Sequence, residues 1–132
     1  MRRVRWLIAL GGLIASPAFA ITITAAVPGG TTLASAVAAT GRSATGVDTG
    51  TGGYQLVVTY CVAGGTATVK TQASFDRGTT WVDVTNSSKA IDSAGTVCDA
   101  VSIFAPQGIY ATNVTAQTGS VTTKAFFAAR QQ

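Results

Sequence analysis

The chain contains no histidine and no glutamate, and all five of its acids are aspartates: Asp48, Asp76, Asp83, Asp92 and Asp99. Without an imidazole there is no Ser–His triad, no histidine metal cage and no histidine general base. Without glutamate there is no two-glutamate acid–base pair, and the spacing of the aspartates does not set them up for paired carboxylate chemistry. Charge of both signs is scarce, at 11% of 132 residues, where an ordinary domain carries about a quarter. Arg2, Arg3 and Arg5 supply much of the formal net charge of +4. Beyond them, six basic residues (Arg42, Lys70, Arg77, Lys89, Lys124, Arg130) stand against five aspartates, leaving +1. They occur singly, with no basic run and no interleaved aromatics. The chain therefore lacks the electrostatic footprint of a nucleic-acid binder.

What is present suits strands and turns. Thr, Ala, Gly, Val and Ser dominate, 47% of the residues are apolar, and the length allows one domain. The first twenty residues stand apart. A basic head, Met1 to Arg5, precedes an apolar run from Trp6 to Ala15. Small residues follow, ending in Ala18-Phe19-Ala20. This is the layout of a secretory signal peptide cleaved after Ala20. Two other readings stay open: an uncleaved anchor over residues 6–27 with the arginines on the cytoplasmic side, or an arm buried in a larger assembly. The chain thus divides into a signal-like or anchor segment (1–20), a Gly/Thr/Ala-rich arm or linker (21–53) and a β-domain (54–132).

Period-2 alternation predicts the strands. Residues 21–27 alternate ahead of a Pro-Gly-Gly turn. Residues 31–40 fit either a strand or a short helix, and residues 41–53 read as an exposed loop. Tyr54, Leu56, Val58, Tyr60 and Val62 share one face of a central strand. After Gly64-Gly65, residues 66–75 alternate, with Ala67, Val69, Thr71, Ala73 and Phe75 inward and Thr68, Lys70, Gln72 and Ser74 outward. A return strand over 81–85, a polar loop over 86–95, and strands over 97–104, 109–116 and 121–129 complete the pattern. About six or seven short strands with regularly spaced turns predict an all-β, antiparallel β-sandwich.

The most informative stretch is Ser74-x-Asp76-x-Gly78-x-x-Trp81. Asp76 can accept hydrogen bonds from nearby backbone N–H groups, Ser74 can tie the same turn, and Gly78 can take positive φ. Trp81 then re-enters the sheet with about 150–250 Å² to bury. The spacing matches the Asp-box of sialidase-like propellers, where it is a hairpin corner. One copy in this length does not make a propeller, which needs four or more blades. Residues 54–84, with the Gly-Gly turn, the alternating strand and the Ser-Phe-Asp-Arg-Gly-Thr-Thr-Trp corner, resemble small β-sandwich virion proteins of bacteriophages. The strand pair near the C-terminus extends that resemblance over about the last eighty residues. It implies a structural role in a capsid, decoration, fibre or tail component.

Cys61 and Cys98 each fall on a predicted strand. In an exported chain a disulfide between them would close a loop of nearly forty residues and stabilise by ~4 kcal/mol. Otherwise they pack as two buried thiols. Two cysteines without histidine do not complete a zinc site. Asp83, Asp92 and Asp99 lack the spacing of a calcium loop and read as solvated acids. Asn86-Ser87-Ser88 and Asn113-Val114-Thr115 fit the glycosylation pattern, which matters only in a eukaryotic host. Tyr54, Tyr60 and Tyr110 read as core and sheet-packing residues, with an aromatic sugar platform as the alternative.

These observations lead to the expectation of a non-enzymatic virion structural protein without cofactor or metal. It would self-associate and contact other virion proteins, meeting a membrane only through residues 1–27 if these are uncleaved. The alternative is an exported bacterial β-sandwich module, periplasmic or secreted, that binds a glycan or surface protein.

Overall fold

The structure of the protein, a computed structural model, describes residues 21–25, 29–50 and 54–128. The signal-peptide and anchor readings of residues 1–20 lie outside the described residues. Nine strands follow in chain order: β1 Thr22–Ala25, β2 Thr31–Val37, β3 Gly41–Arg42, β4 Thr45–Asp48, β5 Tyr54–Ser74, β6 Val82–Asp83, β7 Lys89–Ala105, β8 Ile109–Gln117 and β9 Ser120–Ala128. No helix occurs among the described residues. The fold is all-β, as the alternation predicted.

β5 is the axis of the molecule. Along one edge it pairs antiparallel with β7, from Tyr54↔Ala105 to Val69↔Lys89, and then with the short β6. Along the other edge β9 pairs with residues 55–63 and β8 with residues 67–74. β8 and β9 thus run as one interrupted track beside β5. Beyond them lie β2 on β9, and β3 and β4 on β8, with β1 parallel to β4.

These long strands fold over on themselves. Tyr60 and Thr71 lie eleven residues apart on β5, which in a straight strand would separate them by roughly 36 Å. Their hydroxyls instead meet at 2.6 Å in the interior. Thr112 on β8 and Thr123 on β9 meet in the same way at 2.7 Å. The bend falls where Gly64 takes a φ of 68° and Gly65 faces the Thr118–Gly119 turn. A Cβ on Gly119 would lie 2.5 Å from the Ala63 carbonyl oxygen, and one on Gly65 would lie 2.7 Å from the Gly119 nitrogen. Only glycine lets the two strands turn the corner in contact.

The result is a single mixed sheet nearly closed into a barrel, where the spacing of turns predicted an antiparallel sandwich. β5 and β7 stay within that one sheet along their whole course, and the parallel β1–β4 pair makes it mixed. A notch of about 180 Å³ between β2 and the β3–β4 segment marks the seam. The interior is filled by Leu33, Val47, Leu56, Val58, Val62, Val69, Ile91, Val101, Ile103, Val114, Val121 and the two tyrosines Tyr60 and Tyr110. Each large aliphatic side chain so buried stabilises by about 1.5–3 kcal/mol.

Several local expectations are corrected. Residues 41–50, read as an exposed loop, contribute β3 and β4 and bury Val47 and Thr49. Thr49 earns its burial by donating to the Pro106 and Gly108 carbonyls and accepting from Gly108 N–H. Residues 89–93 belong to β7, where a polar loop was expected, because they pair with β5 past its bend. Residues 31–37 are strand, which settles the strand-or-helix ambiguity there. Phe75 is 61% exposed, since β5 ends at Ser74 and the chain turns away. Gln72 and Ser74, expected outward, are buried because Arg42 and the corner cover that face. Tyr60 and Tyr110 are interior, which removes them from any exposed sugar platform.

Candidate functional site

Three features carry chemistry at the surface: the Asp76 corner, a cleft beside it, and the free edge of β7.

The corner is built almost entirely from bonds within the eight residues from Ser74 to Trp81. Ser74 Oγ donates to Asp76 Oδ1 at 2.8 Å and accepts from Gly78 N–H at 2.8 Å. Asp76 Oδ1 also accepts from Thr80 N–H at 2.7 Å. The Trp81 indole N–H donates to the Gly78 carbonyl at 3.0 Å, which fixes the ring over the turn. The Thr80 donors, and after them the Ser74 hydroxyl, hold the Asp76 carboxyl down at about 2. All four residues singled out by spacing (Ser74, Asp76, Gly78, Trp81) therefore meet in one network. Trp81 is half-buried outside the barrel and precedes the two-residue β6, so it does not re-enter the sheet as expected.

Arg42 covers that ring, its guanidinium carbon 4.3 Å from the ring centroid. From there a polar chain runs along the outer face of the sheet. Arg42 Nε donates to Gln72 Oε1, Gln72 Nε2 donates to Asp83 Oδ1, and Lys70 Nζ meets Asp83 Oδ2 at 2.6 Å. Asp83 is lowered from its ordinary value by Lys70 first and Gln72 second. Asp76 and Asp83 both sit in networks that favour the carboxylate, which suits them to tying loops and not to donating protons. Among the described residues no cluster of acids and cysteines is arranged to hold a metal ion. Asp92 lies exposed on β7, apart from Asp83.

The cleft, about 400 Å³, lies between the corner and the β4–β8 end of the sheet. Phe75, Arg77, Asp48, Gln107 and Ile23 line it, over a floor of Gly108 and Ile109. Arg77 sits in the left-handed region at φ 58°, an uncommon and costly conformation for a side-chain-bearing residue.

Like β1, β2, β3 and β6, β7 has one partner strand among the described residues, and it is the longest of these edge strands. Among the described residues it pairs with β5 alone, so its second edge presents free backbone N–H and C=O groups. Its middle, residues 94–100, is exposed on both faces. Here Cys61 and Cys98, directly opposite one another, form a disulfide. Cys98 is exposed and Cys61 only half-buried, so the alternative of two buried thiols does not apply. Lys89 and Asp99, both at inward positions of β7, meet at 3.2 Å across the fold of the strand. Asp99 is lowered first by the Ala100 N–H and then by Lys89. Past Asp99 the edge is uncharged through residue 105, and Phe104 stands 69% exposed.

Sequence reasoning found the corner and both cysteines but missed the edge, the cleft and Arg42. One signal for the edge was there: Asp99 interrupts an otherwise apolar face of Val97, Val101 and Ile103. An inward charge is a common mark of an edge strand. Of the two glycosylation-pattern asparagines, Asn86 is exposed at φ 58°, whereas Asn113 is half-buried between Lys70 and Arg42 in the sheet. Comparison with protein-family models, curated proteins and solved structures gives no match for this chain.

Proposed function

We propose that the chain is a non-enzymatic assembly protein, a structural component of a bacteriophage virion. In this reading it works through sheet-edge contacts with its own copies and with other virion proteins. The observation that carries it is the β7 edge: over residues 101–105 it is uncharged, pairs with no second strand among the described residues and bears the exposed Phe104 ring. Free edge N–H and C=O groups template pairing with another strand, and an exposed aromatic adds apolar area to the contact. The virion setting rests on the resemblance of residues 54–84, with the nearly closed sheet standing where that family has a β-sandwich body. The edge is pinned by a disulfide and an ion pair, which keeps it rigid and ready to pair.

The surface-exposed disulfide favours a second reading, an exported binding module, because such bonds persist in oxidising compartments. Sedimentation of the purified chain over a range of concentrations tests the first reading. Association that Ser102→Lys and Phe104→Lys abolish, with circular dichroism unchanged, is the expected result. A chain that stays monomeric at every concentration and joins no particle of its producing phage would count against it. A native mass beginning at Ile21 would favour the exported module.

A further inference from the structure

We propose that the cleft beside the Asp76 corner binds a sugar ring, a neutral pyranose presented by a glycan. The inference goes beyond the assembly role and rests on residues other than those of the β7 edge.

The argument starts from Phe75. A phenyl ring 61% exposed at the end of a strand gains little from folding, yet this one is held in place. It lies against Gly108, where an added Cβ would sit 3.0 Å from Phe75 Cδ1 and 3.0 Å from the Ser74 carbonyl. Glycine at 108 thus lets the ring pack along the cleft wall. An exposed aromatic face presented beside polar groups is the surface on which the C–H face of a pyranose stacks.

The polar groups fit the hydroxyls of such a ring. Among the described residues Arg77 makes no hydrogen bond or ion pair, and it stands in a strained left-handed conformation. Backbone strain of this kind persists where the surroundings enforce it and clusters at ligand sites. Asp48 spends Oδ1 on the Gly50 N–H at 2.8 Å, which fixes the carboxylate and leaves Oδ2 as an acceptor. The Gln107 side chain is exposed, and its amide has no partner among the described residues. The set comprises a donor fork, an anchored acceptor and an amide that does both. One positive and one negative group face the same volume, which disfavours a phosphate or an ammonium ion and suits an uncharged polyol. The volume of about 400 Å³ is in the range of small-ligand sites and accommodates one sugar ring with part of a second. Two other cavities are weaker candidates: the notch at the seam is less than half this size, and the hollow under β7 is mostly small side chains.

The test uses the full chain, ¹⁵N-labelled, titrated with free glucose, galactose, mannose, rhamnose and N-acetylglucosamine, followed by a glycan array. At least one sugar is expected to shift the amides of Asp48, Phe75, Arg77 and Gly108 while leaving β7 untouched. Phe75→Ala, at an exposed position, should weaken that binding by about tenfold or more without changing Trp81 fluorescence. Arg77→Gly should relieve the strained φ, raise the melting temperature slightly and still lose affinity. A panel and array without a binder, shifts that fall elsewhere, or affinity unchanged in both variants would each overturn the proposal. None of these results bears on whether the β7 edge associates, which sedimentation reads separately.

Discussion

β5 has antiparallel neighbours along most of its length on either side, but the two sides are held by different means. On the β8–β9 side further strands cover the neighbour, and its inward residues (Tyr110, Thr112, Val114, Val121, Thr123, Ala125) are all buried. On the β7 side no further strand lies beyond among the described residues, the middle of the strand is exposed on both faces, and two inward positions carry charge. The covered side is stabilised by packing and by buried hydroxyl pairs. The open side is held by a covalent bond, an ion pair and a ladder of backbone hydrogen bonds. An edge held in this way stays in place without being hidden, which leaves it able to contact another molecule.

The largest effect should come from the covalent tether. Reducing Cys61–Cys98, or replacing both by serine, is expected to cost about 4 kcal/mol for a separation of 37 residues. Hydrogen exchange should then accelerate along β7 well before β8 or β9; a uniform acceleration would erase the difference between the sides. On the covered side, Thr112→Val should cost about 1–3 kcal/mol by stranding the Thr123 hydroxyl, while Thr112→Val with Thr123→Val should cost far less. A double-mutant cycle in urea measures this.

The ion pair is smaller. Lys89→Ala should cost about 0–1 kcal/mol, since both partners are substantially solvated. Lys89→Val, by contrast, should promote concentration-dependent association visible in light scattering, because it removes an inward charge that keeps the edge from pairing indiscriminately.

Two tyrosines sharpen the contrast further. Burial pushes both Tyr60 and Tyr110 up to about 12, and Asp99 adds to the rise at Tyr60 alone. With folded values above the ordinary 10, the neutral phenols contribute stability that is complete below pH 10 and is lost as pH rises through about 12. Asp99→Asn should lower the titration of Tyr60 and leave Tyr110 where it is, as alkaline difference absorbance will record. The most local effect belongs to the corner where β5 ends. Asp76, held at about 2, supports the turn above its ordinary value near 4 and loses that support as pH falls through about 2. Trp81 fluorescence should change in that window in the wild type but not in Asp76→Asn, whose turn is already loosened.

The corner was legible because its bonds are short in sequence. Ser74, Asp76, Gly78 and Thr80 reach one another within a single turn, so residue type and spacing are enough to build it. The inward faces of β5, β8 and β9 were legible for a similar reason, since alternation is a property of each strand alone. Arg42 was not. It reaches Gln72 and Trp81 across thirty or more residues, and no local pattern announces that meeting. Residues 41–50 read as loop because their small and polar side chains resemble a linker, yet pairing with β8 supplies their backbone partners. Phe75 fitted the inward rhythm until the strand stopped one residue short of it.

From composition and order alone came the all-strand character of the chain, the absence of imidazole and glutamate chemistry, and the self-bonded turn at Asp76. Those depend on residue identity and on neighbours a few positions away. Tertiary structure decided which strand lies at the edge, which cysteine faces which, and that Phe75 and Arg77 share a cleft with Asp48 and Gln107. The physical reason is that a strand satisfies only its side-chain rhythm by itself. Its backbone partners, and therefore its place at the centre or the rim of the sheet, are supplied by distant segments of the chain.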